Sequence, residues 1–190
     1  TQSGGRTIRE LERLRDNNLV AIIRALKQQK SAVGLLIGAH EKIIQRMPSD
    51  DSKFLSVSRK IPADWTDYNG HMNEGYYGKV FSDAADEFLL IVGVDDRYIE
   101  NGHSFFTVET KVKFIHEILA GQDVYVCSSL ILADGKKVKL LHELLGENNV
   151  KLATCEQLML HVNLKTRKSC RPLPEIQKLI NEFARKYKEN

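Results

Sequence analysis

One pattern limits the fold of this chain more than any other. A strand-like run at 54–61 leads into a long helical stripe, and four strand-like segments with short connections follow it. Tyr77, Val80, Phe81, Ala84, Phe88, Leu89 and Val92 recur every three or four positions, as one apolar helix face requires. Asn73 supplies an N-cap and Gly93 a stop. The later strand-like segments run over 104–117, 122–133, 137–145 and 150–163. Asp134-Gly135 is a hairpin signal, because both residues tolerate the positive φ of tight turns. Gly146-Glu147-Asn148-Asn149 marks a second hairpin, and Leu119-Ala120-Gly121 is expected to make a third. Short connections force antiparallel neighbours. The economical packing is α+β, an antiparallel sheet wrapped around a long central helix.

The flanks differ in character. Thr7 and Glu10 have capping-box spacing, and Ile8, Leu11, Leu19, Ile22 and Leu26 then recur at helical intervals. Val33, Leu36, Ile37, Ile43 and Ile44 form a second such set, so residues 1–47 are expected to be an N-terminal helical segment. The polar, proline-containing stretch 48–53 is expected to be a linker, 54–170 the main domain, and 171–190 a C-terminal helix with a Leu179/Ile180/Phe183 stripe. A start at Thr1 rather than Met raises the expectation of an excerpt from something longer.

Composition narrows the functional classes. At 42% hydrophobic residues, 190 residues can bury a core. The net charge of +3 is small and both signs are interspersed, unlike the concentrated basic patch of a nucleic-acid binder. No apolar run is long enough to span a bilayer, and no secretory signal pattern is present. Cys127, Cys155 and Cys170 are far apart and show no metal-ligand spacing; the first two read as small buried apolar residues of strands. These features suit a reducing cytoplasm, with no metal, no cofactor, no nucleic acid and no membrane. No GxGxxG follows a strand, so no dinucleotide site is expected.

The chemistry concentrates at 65–77, where the first strand meets the helix. Asp67 either acts as a general base or nucleophile, or shapes an Asx turn. Gly70 lets the backbone turn or approach a ligand. Asn73 caps the helix or orients a reacting group, and the Glu74 N–H at the helix start can face a developing oxyanion. His71 either serves as a base or braces the turn. Trp65, Tyr68, Tyr76, Tyr77 and Phe106 are candidate substrate contacts, with ordinary core packing as the alternative. Glu109 lies on a strand otherwise rich in Phe, Val and Thr, and is either solvent-facing or held for the site. His116, His142 and His161 show no ligand spacing and are expected to be structural.

The motif Thr66-Asp67-Tyr68-Asn69-Gly70-His71-Met72-Asn73 resembles the active-site loop of the hotdog-fold 4-hydroxybenzoyl-CoA thioesterase-like family, over about residues 54–164. With Ile61-Pro62-Ala63-Asp64-Trp65, Tyr76-Tyr77 and Phe105-Phe106-Thr107-Val108-Glu109-Thr110, the resemblance is closest to that family's betainyl-CoA thioesterase group. Residues 4–19 are similar to the last helices of a 3-hydroxyacyl-CoA dehydrogenase-type domain, as in forms fused to L-carnitine dehydrogenase. The resemblance implies an acyl-CoA thioesterase that takes betainyl-CoA to betaine and CoA in carnitine degradation, with Asp67 as the working carboxylate. It also implies a homodimer, or a tetramer of hotdog dimers, in which Glu109 of one subunit approaches the loop of the other. A thioesterase for another short or aromatic acyl-CoA remains open, as does a non-catalytic acyl-CoA-binding or dimerisation module of a dehydrogenase.

Overall fold

The computed structural model describes residues 52–187. The expected helical segment 1–47 and most of the expected linker lie outside the described residues. Strand β1 (Phe54–Lys60) is followed by a short 3-10 turn at Ala63–Trp65 and helix α1 (Glu74–Ile91). A short helix α2 (Asp96–Glu100) precedes β2 (His103–Phe114), β3 (Asp123–Asp134), β4 (Lys137–Leu145) and β5 (Lys151–Asn163). The two-residue β6 (Lys168–Ser169) and helix α3 (Pro174–Tyr187) complete the fold.

Strands β1, β3, β4, β5 and β2 lie side by side in that order, all antiparallel, and β6 takes up the edge of β5 beyond the end of β4. This is the hotdog arrangement, with α1 against the inner face of a curled sheet. Alternation explains the pairing: β5 buries Ala153, Cys155, Gln157, Met159 and His161 and turns the intervening residues outward. The stripe along α1 matches the expected one, with Tyr77, Val80, Phe81, Ala84 and Phe88 buried. Phe81 is packed with Ile61, Ile118 and Leu144 beneath the first half of α1. Phe88 is packed with Phe54, Leu140 and α3 residues Ile176, Ile180 and Phe183 beneath the second half.

Gly93 ends α1 as expected. Its φ is +85°, its N–H donates to Leu90 O and the Val94 N–H donates to Leu89 O, the paired bonds of a Schellman motif. The Asp134-Gly135 hairpin is also present, with Asp134 opposite Lys137 and Gly135 at φ +58°. The second hairpin turns through Asn148 and Asn149, both at positive φ.

The third expected hairpin is absent. Residues 119–122 do form a tight turn, in which the Gln122 N–H donates to Leu119 O. Yet β2 pairs with β5 and β3 pairs with β1 and β4, so this connection crosses the fold instead of joining neighbours. Strand β2 stops at Phe114, and the backbone amides of Ile115 and His116 both turn to Leu152 O. Helix α2, which sequence reading missed, starts at Asp95, whose carboxylate accepts the Tyr98 N–H at 2.9 Å.

A chain of polar side chains runs through the buried face. Ser56 and Ser128 hydroxyls are 2.8 Å apart, Ser128 Oγ is 2.6 Å from His142 Nδ1, and His142 Nε2 is 3.1 Å from Gln157 Oε1. The four residues belong to β1, β3, β4 and β5. His142 is fully buried against Phe81, and burial lowers its pKa from 6.5 to about 4, against an opposing push from the Gln157 hydrogen bond. Neutral His142 in the fold faces a protonated one in the unfolded chain between those pH values. Stability should therefore be complete above pH 6.5 and fall as pH drops towards 4, by roughly 3 kcal/mol over the window. Urea unfolding at a series of pH values checks this; equal unfolding free energies at the two ends would contradict it. Burial raises the Glu143 carboxyl, but hydrogen bonds from Lys151 and Lys53 outweigh this and hold it below its usual value of 4.5, so its contribution disappears only at more acid pH.

Candidate active site

The loop between Thr66 and Asn73 is a small closed structure. Thr66 and Met72 form an isolated β-bridge. Inside it, the Asp67 N–H donates to His71 O at 2.9 Å and the Gly70 N–H donates to Asp67 O at 3.0 Å. Gly70 sits at φ +85°, a conformation that strains any residue with a Cβ even though space there is open. Asp67 Oδ1 accepts the Asn69 N–H at 2.8 Å, so this carboxylate is indeed an Asx-turn residue. Its charge and second oxygen are additional to that role.

The loop is fastened at both ends. The Asn73 N–H donates to Trp65 O at 2.9 Å, and the Met72 N–H donates to Ile118 O at 2.7 Å on the β2–β3 crossing. Asn73 caps α1: its Oδ1 accepts the Gly75 N–H and its C=O accepts the Tyr76 N–H. The Glu74 N–H begins the helix and, like every amide of a first turn, has no acceptor within it.

A cleft of about 580 Å³ opens beside these groups. One wall is Asp67, Asn73, Glu74 and Tyr77, with Tyr68 and Met72; the other is Phe114, Ile115, His116 and Glu117. Asp67 and the start of α1 thus share a cleft, the geometry a thioester carbonyl would need. Three carboxylates line it, and no lysine or arginine is among its described lining residues. Phe114 stands perpendicular to Tyr77, ring centres 4.8 Å apart. The Tyr77 hydroxyl is made harder to ionise, first by burial and then by the nearby Glu117 charge.

The other expected residues fall around the cleft in distinct ways. His71 turns to the crossing, with Nε2 3.2 Å from Glu117 Oε2. Trp65 is stacked on Tyr76 at 4.7 Å, and the Arg59 guanidinium lies 5.1 Å from its ring centre while pairing with Asp83 at 2.6 Å. Trp65 and Tyr76 therefore hold the loop against α1 more directly than they face the cleft. Tyr68 is 96% exposed at the cleft mouth. Glu109 and Phe106 lie on the exposed outer strand β2, outside the cleft of a single chain. Of the three histidines expected to be structural, His142 and His161 are buried; His116 is exposed and lines the cleft.

Sequence reading missed Phe114, His116 and Glu117 as site residues because it extended the strand through them. The polar pair His116-Glu117, ending a run of alternating residues, was the available signal.

Comparison with known proteins converges with this geometry. The model of a family described as the thioesterase-like superfamily matches residues 61–180. A protein of Ruegeria pomeroyi named L-carnitine dehydrogenase/betainyl-CoA thioesterase is 43% identical over 190 residues, covering 96% of this chain and 39% of that protein. A betainyl-CoA thioesterase of Pseudomonas aeruginosa is 39% identical over 103 residues, 53% of this chain and 65% of that one. The chain spans about two fifths of the length of the dehydrogenase-containing relatives it matches. Among solved structures, a Staphylococcus aureus protein in complex with CoA aligns with a TM-score of 0.67 and 24% identity, covering 70% of this chain and 86% of that one. A 1,4-dihydroxy-2-naphthoyl-CoA thioesterase from Synechocystis aligns with a TM-score of 0.62 and 17% identity, covering 68% and 96%. At these identities the two structures speak for the fold.

Proposed function

The chain belongs to the thioesterase-like superfamily, and from that premise we propose that it hydrolyses an acyl-CoA thioester, with betainyl-CoA as the substrate and betaine and CoA as the products. The observation that carries this reading is the shared cleft of Asp67 and the α1 N-terminus. The named relatives at 39–43% identity support the choice of acyl group.

In this reading the thioester carbonyl oxygen lies against the Glu74 N–H, where the helix N-terminus favours developing negative charge. Removing one such donor from a hydrolase typically costs roughly 3–4 kcal/mol of transition-state stabilisation. Asp67 takes a proton from water as the water oxygen bonds to the carbonyl carbon. The tetrahedral intermediate then collapses, the C–S bond breaks and the CoA sulfur leaves with a proton. Attack by the Asp67 carboxylate itself, through an anhydride that water cleaves, uses the same groups. Asn73 keeps the helix start in place, and His71 braces the loop.

Exposed Phe106 and Val108 on the outer edge of β2 support pairing with a second copy of the chain. Such a homodimer, alone or doubled into a tetramer, would bring Glu109 and Phe106 to the partner's loop. The names of the longer relatives support a dehydrogenase domain fused ahead of this one. A cytoplasmic location suits a CoA ester and the thiols of Cys155 and Cys170; no helix among the described residues is long and apolar enough to cross a membrane.

Thiol release by the purified chain from betainyl-, acetyl-, butyryl- and benzoyl-CoA tests the proposal. Turnover of betainyl-CoA is expected. Turnover of another acyl-CoA alone would move the substrate assignment, and binding with no turnover of any would favour a non-catalytic acyl-CoA module.

A further inference from the structure

We propose that Glu117, with Tyr77 and Phe114, forms the subsite that selects a positively charged acyl head group. This inference rests on the acyl-CoA reading of the cleft and names the residues that would set its specificity.

A trimethylammonium group has no N–H and cannot be recognised by hydrogen bonding. Aromatic faces and carboxylates are what attract it. Tyr77 and Phe114, in contact across the cleft, supply aromatic surface, and Glu117 supplies a carboxylate. The two rings meet edge to face at 86°. Phe114 is 51% exposed at the end of β2, an apolar ring left open in a cleft otherwise rich in polar groups.

The three carboxylates of the cleft are differently placed. Asp67 is tied into its own turn through Oδ1. Glu74 stands in the first turn of α1, where its charge complements the helix N-terminus. Glu117 belongs to the opposite wall, on the same segment as Phe114. Its place is fixed by its neighbours: Ile118 O accepts the Met72 N–H at 2.7 Å, and the Glu117 carboxylate meets His71 at 3.2 Å. Its field reaches Tyr77, since it contributes to the raised pKa of that residue. No lysine or arginine is among the described lining residues to oppose that charge.

Two thioethers of CoA isolate the charge. One carries a trimethylammonioethyl group and the other its carbon isostere, neohexyl; neither can be hydrolysed, so binding is read independently of turnover. Calorimetric titration of the chain should give about tenfold tighter binding of the charged thioether. Glu117→Gln should reduce that ratio to about twofold, and Glu117→Lys should invert it. An unchanged ratio in Glu117→Gln, or no preference in the unmodified chain, overturns the proposal. A chain that hydrolyses no thioester but shows the Glu117-dependent preference would refute the hydrolase reading and leave this subsite standing. Hydrolysis without charge preference would do the reverse.

Discussion

Asp67→Asn should lower kcat for acyl-CoA hydrolysis by about 10³-fold, within the range general bases contribute. The substitution is informative because of the turn around it. Asp67 Oδ1 accepts the Asn69 N–H, and an asparagine carbonyl can accept the same bond. The loop shape should survive while the charge is removed. Steady-state thiol release and thermal unfolding, measured on the same preparation, separate the two roles. The expected result is near-abolished turnover with stability changed by less than about 0.5 kcal/mol. Activity within tenfold of the unmodified chain would reduce Asp67 to a turn residue and remove the basis of the mechanism.

Phe88→Ala should destabilise the fold by about 3–5 kcal/mol, as deleting a large buried aromatic does when the site cannot collapse. Phe88 is fully buried beneath the second half of α1 and meets Phe183 of α3 edge to face, ring centres 4.9 Å apart. Phe183 is in turn 5.0 Å from Phe54 of β1. The truncation therefore opens a void where the central helix, the C-terminal helix and the first strand meet. Denaturant unfolding gives the number, and a loss below about 1 kcal/mol would mean that α3 moves in to fill the gap.

Much of this fold was legible because its signals are local. The α1 stripe, the cap at Asn73, the Gly93 stop and two hairpin turns each depend on residues within one or two turns of chain. The loop with Asp67 was legible for the same reason, since acid, glycine and cap are adjacent in sequence. What sequence reading missed is non-local. Nothing within residues 115–122 states that β3 pairs with β1 rather than β2; that follows from sheet curvature and from Ile118 being buried under α1. The second wall of the cleft arrives by that same crossing, so Glu117 and Phe114 went unnoticed while Asp67 did not. The aromatic residues illustrate a further limit. Trp65 and Phe106 looked alike as substrate contacts, but one is stacked into the loop anchor and the other lies on the outer strand.

The hydroxyl–imidazole–amide row from Ser56 to Gln157 works as a key cut for one alignment. Side chains alternate along a strand, so sliding any member by one place would send its polar tip to the opposite side and deprive its neighbours in the row of that partner. An engineer who wished to make the interior fully greasy would have to exchange the whole row together. Changing one tooth alone leaves an orphaned donor or acceptor, whereas a concerted swap would free the strands to try neighbouring alignments that the present sequence forbids.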